Sequence, residues 1–411
     1  MVKRKAESAS SEPKPTKKPT KHQSTPSVSI CIPSSVISYK NAYNLQQKTM
    51  IAYQIAKASL IYDVSEIIVL KESPIKHEKE EEKEKHGNGG GKKEAMSAVG
   101  KKVVFNEDNE NGASSSLQPV PSTDTKPKEE TPSEAVNNDA NENDDALLLA
   151  SLLQFFITPP YLIKTMFLPR LNPKFTSILS KFKYAFKLPK IPNLPFMQNN
   201  NVYEHFKEGI IIPRETPKIK SKTDKSKLVP SPHKVTVSKY VNIGEPEAMK
   251  LDIAREVPVY SRVTIDVRNK TIVSAREAYG THGHKSSFGY HVRMVNETQF
   301  SKVFTNSPLS DGYSQTIFVN CDDYFDKWSK TVDQVPSFEE KKSRGNDGND
   351  NLLIILGNCG TIQQNFENDE AKELMFEGLD SVLKLFDYRL DIPKGCKIED
   401  AILIALTKLL Q

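Results

Sequence analysis

The chain has 411 residues, with 57 lysines and arginines against 52 acids and a net charge of +5. That balance is too mild to name a nucleic-acid partner from bulk charge, so any such case rests on local patches. No run of about 18 apolar residues occurs, which argues against a membrane span, and the cysteines (Cys31, Cys321, Cys359, Cys396) stand far apart, as reduced intracellular thiols do.

Residues 1–27 are rich in Lys, Ser, Thr and Pro, with only Glu7 and Glu12 as acids. They predict a disordered basic tail, either simply solvated or a nuclear-import or RNA-contacting arm. With no apolar h-region, it is not a signal peptide. Ordered sequence starts at Val28, where SVSICIP predicts a buried strand ended by Pro33. Ile51, Ile55, Ala58 and Tyr62 then share one helical face, and EIIVL at 66–70 predicts a second buried strand. Strand, helix, strand is a βαβ unit, which implies a parallel sheet with a right-handed crossover. Residues 71–145, with KHEKEEEKEKHGNGGGKK and a polar remainder, predict a disordered acidic insertion between 28–70 and 146–213 of one domain.

Order resumes with ALLLASLLQFFITPPYLIKTMFLP, a helix stopped at Pro159 and Pro160 and followed by a second short helix. A basic segment follows, with Arg214, Lys218, Lys220, Lys222, Lys225, Lys227 and Lys234. KVTVSKYVNIG, AMKLDIA, SRVTIDVRNKTIVSA and FGYHVRMV then predict a small antiparallel β-barrel, inserted over 214–298. Residues 299–411 return to α/β, with strands near 314–320 and at 352–356. A C-terminal helix over 399–410 carries Ala401, Ile402, Ala405, Leu406 and Leu409 on one side.

Common catalytic signatures are missing: no G-x-G-x-x-G, P-loop, G-x-S-x-G or H-E-x-x-H occurs. His282 and His284 lack the neighbours a metal site needs, so no metal is expected. Asp322 and Asp323 in DDYFDKW suit a helix N-terminus better than a catalytic carboxylate pair. Two features invite function. The basic segment leads into a small barrel of a type that often binds single-stranded nucleic acid, with Tyr240, Tyr260, Phe288 and Tyr290 available to stack on bases. Glycine turns at 311–313, 357–360 and 393–395 could surround a small ligand at the strand ends.

Taken in order, SVSICIP, ITPPYLIKTMF, YSRVTIDV, FGYHVRMV and FDYRLDIPKGCKIEDAILIAL resemble the eukaryotic and archaeal group of SPOUT RNA methyltransferases. The resemblance implies an α/β fold: a trefoil-knotted SPOUT domain with an inserted OB-like barrel, working as a homodimer or as a heterodimer with a SPOUT paralogue. It further implies S-adenosylmethionine as cofactor, rRNA or pre-ribosomal particles as partner, and a nuclear, nucleolar location. Carried onto this chain, the cofactor loops fall at Gly312 and Ile317, at Leu356, Gly357, Asn358 and Gly360, and at Ile392, Pro393, Gly395 and Ile402. RNA contacts fall on Arg214, Lys218, Lys220, Lys222, Lys225, Lys227 and Tyr240. All three loops depart from the family pattern: FVNCDD replaces a small-residue turn, Asn358 replaces a glycine, and the third loop lacks its arginine. The sequence therefore supports either an active enzyme or a catalytically silent scaffold paired with an active paralogue, and no general base stands out.

Overall fold

The computed structural model describes residues 27–72, 139–197, 205–214, 218–220, 228–230, 236–283, 288–309, 312–325, 327–339 and 351–410. The basic tail, most of the expected acidic insertion, and Lys222, Lys225, Lys227 and Lys234 lie outside them. Residues 1–73 and 141–411 form one unit, to which nearly all of the described residues belong.

In chain order the main elements are β1 (Val28–Pro33), α1 (Leu45–Ile61), β2 (Glu66–Leu70), α2 (Asp139–Phe156), β3 (Phe206–Ile212), β4 (Tyr240–Asn242), β5 (Met249–Lys250), β6 (Arg262–Asp266), β7 (Thr271–Val273), β8 (His291–Val295), β9 (Gln315–Asn320), β10 (Leu352–Gly357), α3 (Cys359–Glu367), β11 (Tyr388–Arg389) and α4 (Ile398–Leu410). The expected βαβ start is present, with β1 and β2 parallel and in contact. The helix α2 begins at Asp139, inside the stretch expected to be disordered; helix geometry there precedes the apolar run that alone marked it in sequence.

The main sheet runs β8-β2-β1-β10-β9-β11, and every pair in it is parallel. Its central strands are buried along their whole length, as a parallel sheet covered on both faces requires. Alternate side chains enter opposite cores. Ile30, Ile32, Ile67, Val69, Ile354 and Leu356 face one core with α1, α2 and α4. Cys31, Ile68, Leu70, Leu353 and Ile355 face another with Phe366 of α3. All five apolar residues expected on one side of the C-terminal helix are buried.

FGYHVRMV does not belong with the barrel strands. Its strand β8 adds to the parallel sheet beside β2, with Val292 opposite Ile67. A buried salt bridge specifies this edge: the Arg293 Nε lies 2.7 Å from an oxygen of Glu66, a fully buried residue of β2. Apolar alternation alone could not show that pairing.

The other strands form an antiparallel sheet in the order β7-β6-β3-β4-β5. It takes in Phe206–Ile212, ahead of residue 214 where the insertion was expected to begin. Its small core contains Ile211, Val241, Ile243, Leu251 and Ile265. Short pairs also join Lys218–Lys220 to Leu228–Pro230 and Val237–Ser238 to Val257–Pro258. Gly209 lets β4 and β6 close over β3, because a Cβ there would lie 2.5 Å from Val241 and 2.6 Å from Ile265.

Candidate functional site

Ligands of parallel α/β sheets gather at the carboxyl ends of the strands. At that end of β9, three successive residues tie three loops together. The Cys359 N–H donates to the Asn320 side-chain oxygen at 3.3 Å. The Cys321 N–H donates to the Gly357 carbonyl at 3.2 Å, and the Asp322 N–H to the Cys396 carbonyl at 3.0 Å. The turn after β9, the β10–α3 turn and the loop before α4 thus meet at one place.

The third loop is held on both sides. The Leu390 N–H donates to the Phe318 carbonyl of β9, and the Arg389 N–H to the Pro336 carbonyl of the connection between β9 and β10. The Arg389 side chain reinforces this, with Nη1 2.7 Å from both Asp333 and Asp391 and Nε donating to the Val335 carbonyl. Beside it lies a cavity of about 310 Å³, whose lining includes Asn320, Asp323, Asp333, Arg389, Ile392 and Gly395. This is the low end of the range for small-molecule sites, about 300–1,000 Å³.

Asp323 is buried, and its carboxylate accepts the N–H groups of Lys327 and Trp328 at 3.1 and 3.2 Å. The sequence suggested a helix N-terminus; the carboxylate instead holds the turn just ahead of the short helix Ser329–Val332. Asp322 is different. It adopts a left-handed backbone (φ 58°), and one of its carboxylate oxygens is buried without a hydrogen-bond partner. Burial, aided by Glu399 and opposed by Lys397, pushes its carboxyl up to about 6.

Of the residues expected to hold a cofactor, Ile392 and Gly395 line the cavity, with Pro393 between them. Ile317, Leu356 and Ile402 are buried core residues; apolar residues beside a loop fill the sheet before they reach a ligand. Gly312 precedes β9, at the strand end away from the cavity. Asn358 caps α3, its side chain accepting the Gly360 N–H at 2.9 Å. A Cβ on Gly360 would meet the Trp328 ring at 2.9 to 3.0 Å, so the indole lies directly on this glycine. Asn320, Asp333, Arg389 and Trp328 were missed in sequence. The one available signal was the chain's single tryptophan closing the acidic stretch DDYFDKW.

The expected RNA face is only partly described. Arg214 is exposed and 3.8 Å from Glu256. Lys218 and Lys220 lie on a short strand, and Tyr240 of β4 is half-buried. Tyr290 is not a stacking platform, because it is buried with its hydroxyl donating to the Leu153 carbonyl at 2.9 Å. Phe288 is exposed and Tyr260 half-buried; the Phe288 ring faces the Arg262 guanidinium at 5.1 Å. Among the described residues no cluster of His, Cys, Asp and Glu could hold a metal, and no helix is long and apolar enough to cross a membrane.

The three tied loops and the polar cavity match the parallel-sheet plan of a small-molecule site. A family model described as "Putative RNA methyltransferase" matches residues 27–409. Two proteins of Saccharomyces cerevisiae are similar along nearly the whole chain. "Putative methyltransferase YGR283C" is 29% identical over 387 residues, covering 92% of this chain and 86% of its own. "Putative methyltransferase YMR310C" is 27% identical over 384 residues, covering 93% and 92%. With its parallel α/β sheet and a match running almost from end to end, the chain belongs to this RNA methyltransferase family, the SPOUT group that its sequence resembles.

Proposed function

We propose that the chain is an S-adenosylmethionine-dependent RNA methyltransferase acting on rRNA or pre-ribosomal particles. The observation that carries this is the meeting of the three loops beside a polar cavity at the carboxyl end of β9. The cavity suits the group through its backbone: Gly395, with φ 72°, allows a close approach, while Asn320 and Asp323 hold the surrounding loops by bonds to Cys359, Lys327 and Trp328. The bound cofactor would supply an activated methyl group. This chain's own part is to hold and orient the two reactants, which can remove much of a bimolecular barrier.

Residues 388–390 bond on one side to β9 and on the other to the connection that follows β9, and α4 then packs against α1. This supports a trefoil knot in which the C-terminal segment threads that connection. The exposed Ile61, Leu403 and Leu410 on α1 and α4 favour dimerisation through this helix pair, with a second copy or with a paralogue. The antiparallel sheet is the counterpart of an OB-like module, and the lysines of the segment between its strands β3 and β4 are the RNA contacts. The basic composition of the tail favours a nuclear, nucleolar location.

A silent scaffold is the second reading, favoured by the Trp328 ring standing on Gly360. Calorimetry with S-adenosylmethionine on the full chain separates the two: micromolar binding supports the enzyme, and no heat supports the scaffold. Neutralising Lys218, Lys220 and Lys222 should weaken RNA binding and flatten its salt dependence. Affinity indifferent to those lysines and to salt would remove the RNA assignment.

A further inference from the structure

Trp328 stands where a ligand would approach. Gly360 lies in the first turn of α3, directly after β10. In an α/β site, this is where backbone N–H groups face a ligand and where a missing Cβ permits contact. Here the space above that glycine is filled by the chain itself. A Cβ at Gly360 would be 2.9 Å from the indole Cζ2 and 3.0 Å from its Cε2 and Nε1. A planar ligand could not occupy the same face.

The same turn covers a second glycine. A Cβ at Gly395 would meet the Tyr324 ring at 3.3 Å, so one turn lays an aromatic ring on the glycines of both other loops. The rings are held differently from the backbone beneath them. The Trp328 N–H is fixed to the buried Asp323 carboxylate, and the Trp328 carbonyl accepts the N–H groups of Thr331 and Val332. The indole is half-buried and Tyr324 is exposed. Tyr324 is thus held by little besides its backbone, whereas Trp328 packs against the core that contains Phe366 and has to give up that contact to move, with the backbone bonds kept in either case.

We propose that Trp328 is a gating residue that occupies the cofactor's place over Gly360 and must swing out, with Tyr324 following, for S-adenosylmethionine to bind. The proposal rests on the cofactor assignment made above. Gating lowers apparent affinity by the fraction of molecules that are open. A gate closed in about nine-tenths of molecules costs about tenfold in Kd by the same relation. Affinity for the cofactor is then set by a residue that never contacts the transferred group.

The chain's single tryptophan makes the gate directly observable. S-adenosylmethionine is titrated into the full chain while indole emission and iodide quenching are followed, and calorimetry is run in parallel on wild type and Trp328→Ala. The expected result is a red shift with stronger quenching at saturation, and about tenfold tighter binding by Trp328→Ala. Equal or weaker binding by the variant, or emission that stays fixed at saturation, overturns the gate but leaves the cofactor site in place. No binding by either protein, with circular dichroism showing both folded, overturns the cofactor assignment and the gate together. If Trp328→Ala does not fold, the wild-type emission and quenching decide alone. Gly360→Ala gives a further check without ligand, since the new Cβ should push the ring off and shift its emission to the red.

Discussion

Replacing Glu66 with Gln tests how the edge of the parallel sheet is held. Glu66 is fully buried in β2, with Arg293 Nε at 2.7 Å on one oxygen and the Tyr313 hydroxyl at 2.6 Å on the other. Burial alone would raise its carboxyl. Hydrogen bonds from Arg293 and Tyr313, with the Arg293 charge and His291 3.9 Å away, outweigh burial and hold it at about 2 instead of 4.5. At about 1.4 kcal/mol per pH unit, that corresponds to at most about 3.5 kcal/mol of stability. Because the folded value is depressed, this stability is present above 4.5 and is lost as pH falls from 4.5 toward 2.

In Glu66→Gln the Arg293 guanidinium keeps its bonds to the Lys302 and Val303 carbonyls but loses its counter-charge. Urea unfolding near neutral pH should show a loss of about 3 kcal/mol, the lower end for a broken buried pair. Repeated between about pH 5 and pH 3, the same assay should show a shallower acid dependence than in wild type. A variant that loses under about 1 kcal/mol, or that keeps the wild-type acid slope, would refute this account of the β8–β2 edge.

Three other outcomes follow from buried groups elsewhere. Glu208→Ala removes the carboxylate that lies 3.5 Å from the buried Arg262 and accepts from Tyr279 and Thr264; chemical denaturation should show a loss of about 3–5 kcal/mol. Asp322→Asn should stabilise the fold near pH 8 by about 1 kcal/mol after allowing for partial exposure, seen as a higher melting temperature, and leave it unchanged near pH 4. The sign follows from a folded value raised to about 6: ionisation above the ordinary Asp range costs stability, and Asn also tolerates the left-handed backbone. Thiol titration of the native chain should label Cys396 first, because Cys31, Cys321 and Cys359 are buried. Burial pushes Cys31 and Cys359 up to about 12, so rapid labelling of either would contradict the packing.

Much of the framework was legible because apolar periodicity reports burial. The strand at 28–33, the face of α1 and the C-terminal helix all follow that rule. The strand β8 was misplaced because its partner is chosen by a buried Glu66–Arg293 pair, and charge pairing across distant segments leaves no periodic mark. The antiparallel sheet was recognised, but its first strand was not. Phe206–Ile212 carries Glu208 in the middle, and a buried acid interrupts the pattern that would reveal a strand. At the site, glycines were visible and the residues around them were not. Arg389 and Asp333 come together only when the β9–β10 connection and the C-terminal segment lie side by side.

That limit bears on what the glycines mean. A glycine kept in a cofactor loop suggests a ligand only if nothing else needs the space. Gly360 is required by the Trp328 ring whether or not a cofactor binds, and Gly395 is required by its own φ of 72°. Neither glycine separates an active enzyme from a silent scaffold. The polar lining is more discriminating. Arg389 spends its guanidinium on Asp333, Asp391 and the Val335 carbonyl, and Asp323 spends its carboxylate on the turn it caps. A scaffold needs those bonds only to hold the loops. An enzyme also needs the resulting cavity to be large enough and its backbone open enough to admit the cofactor. The decisive quantity is thus whether Trp328 yields its place, which connects the question of activity to the motion of one side chain.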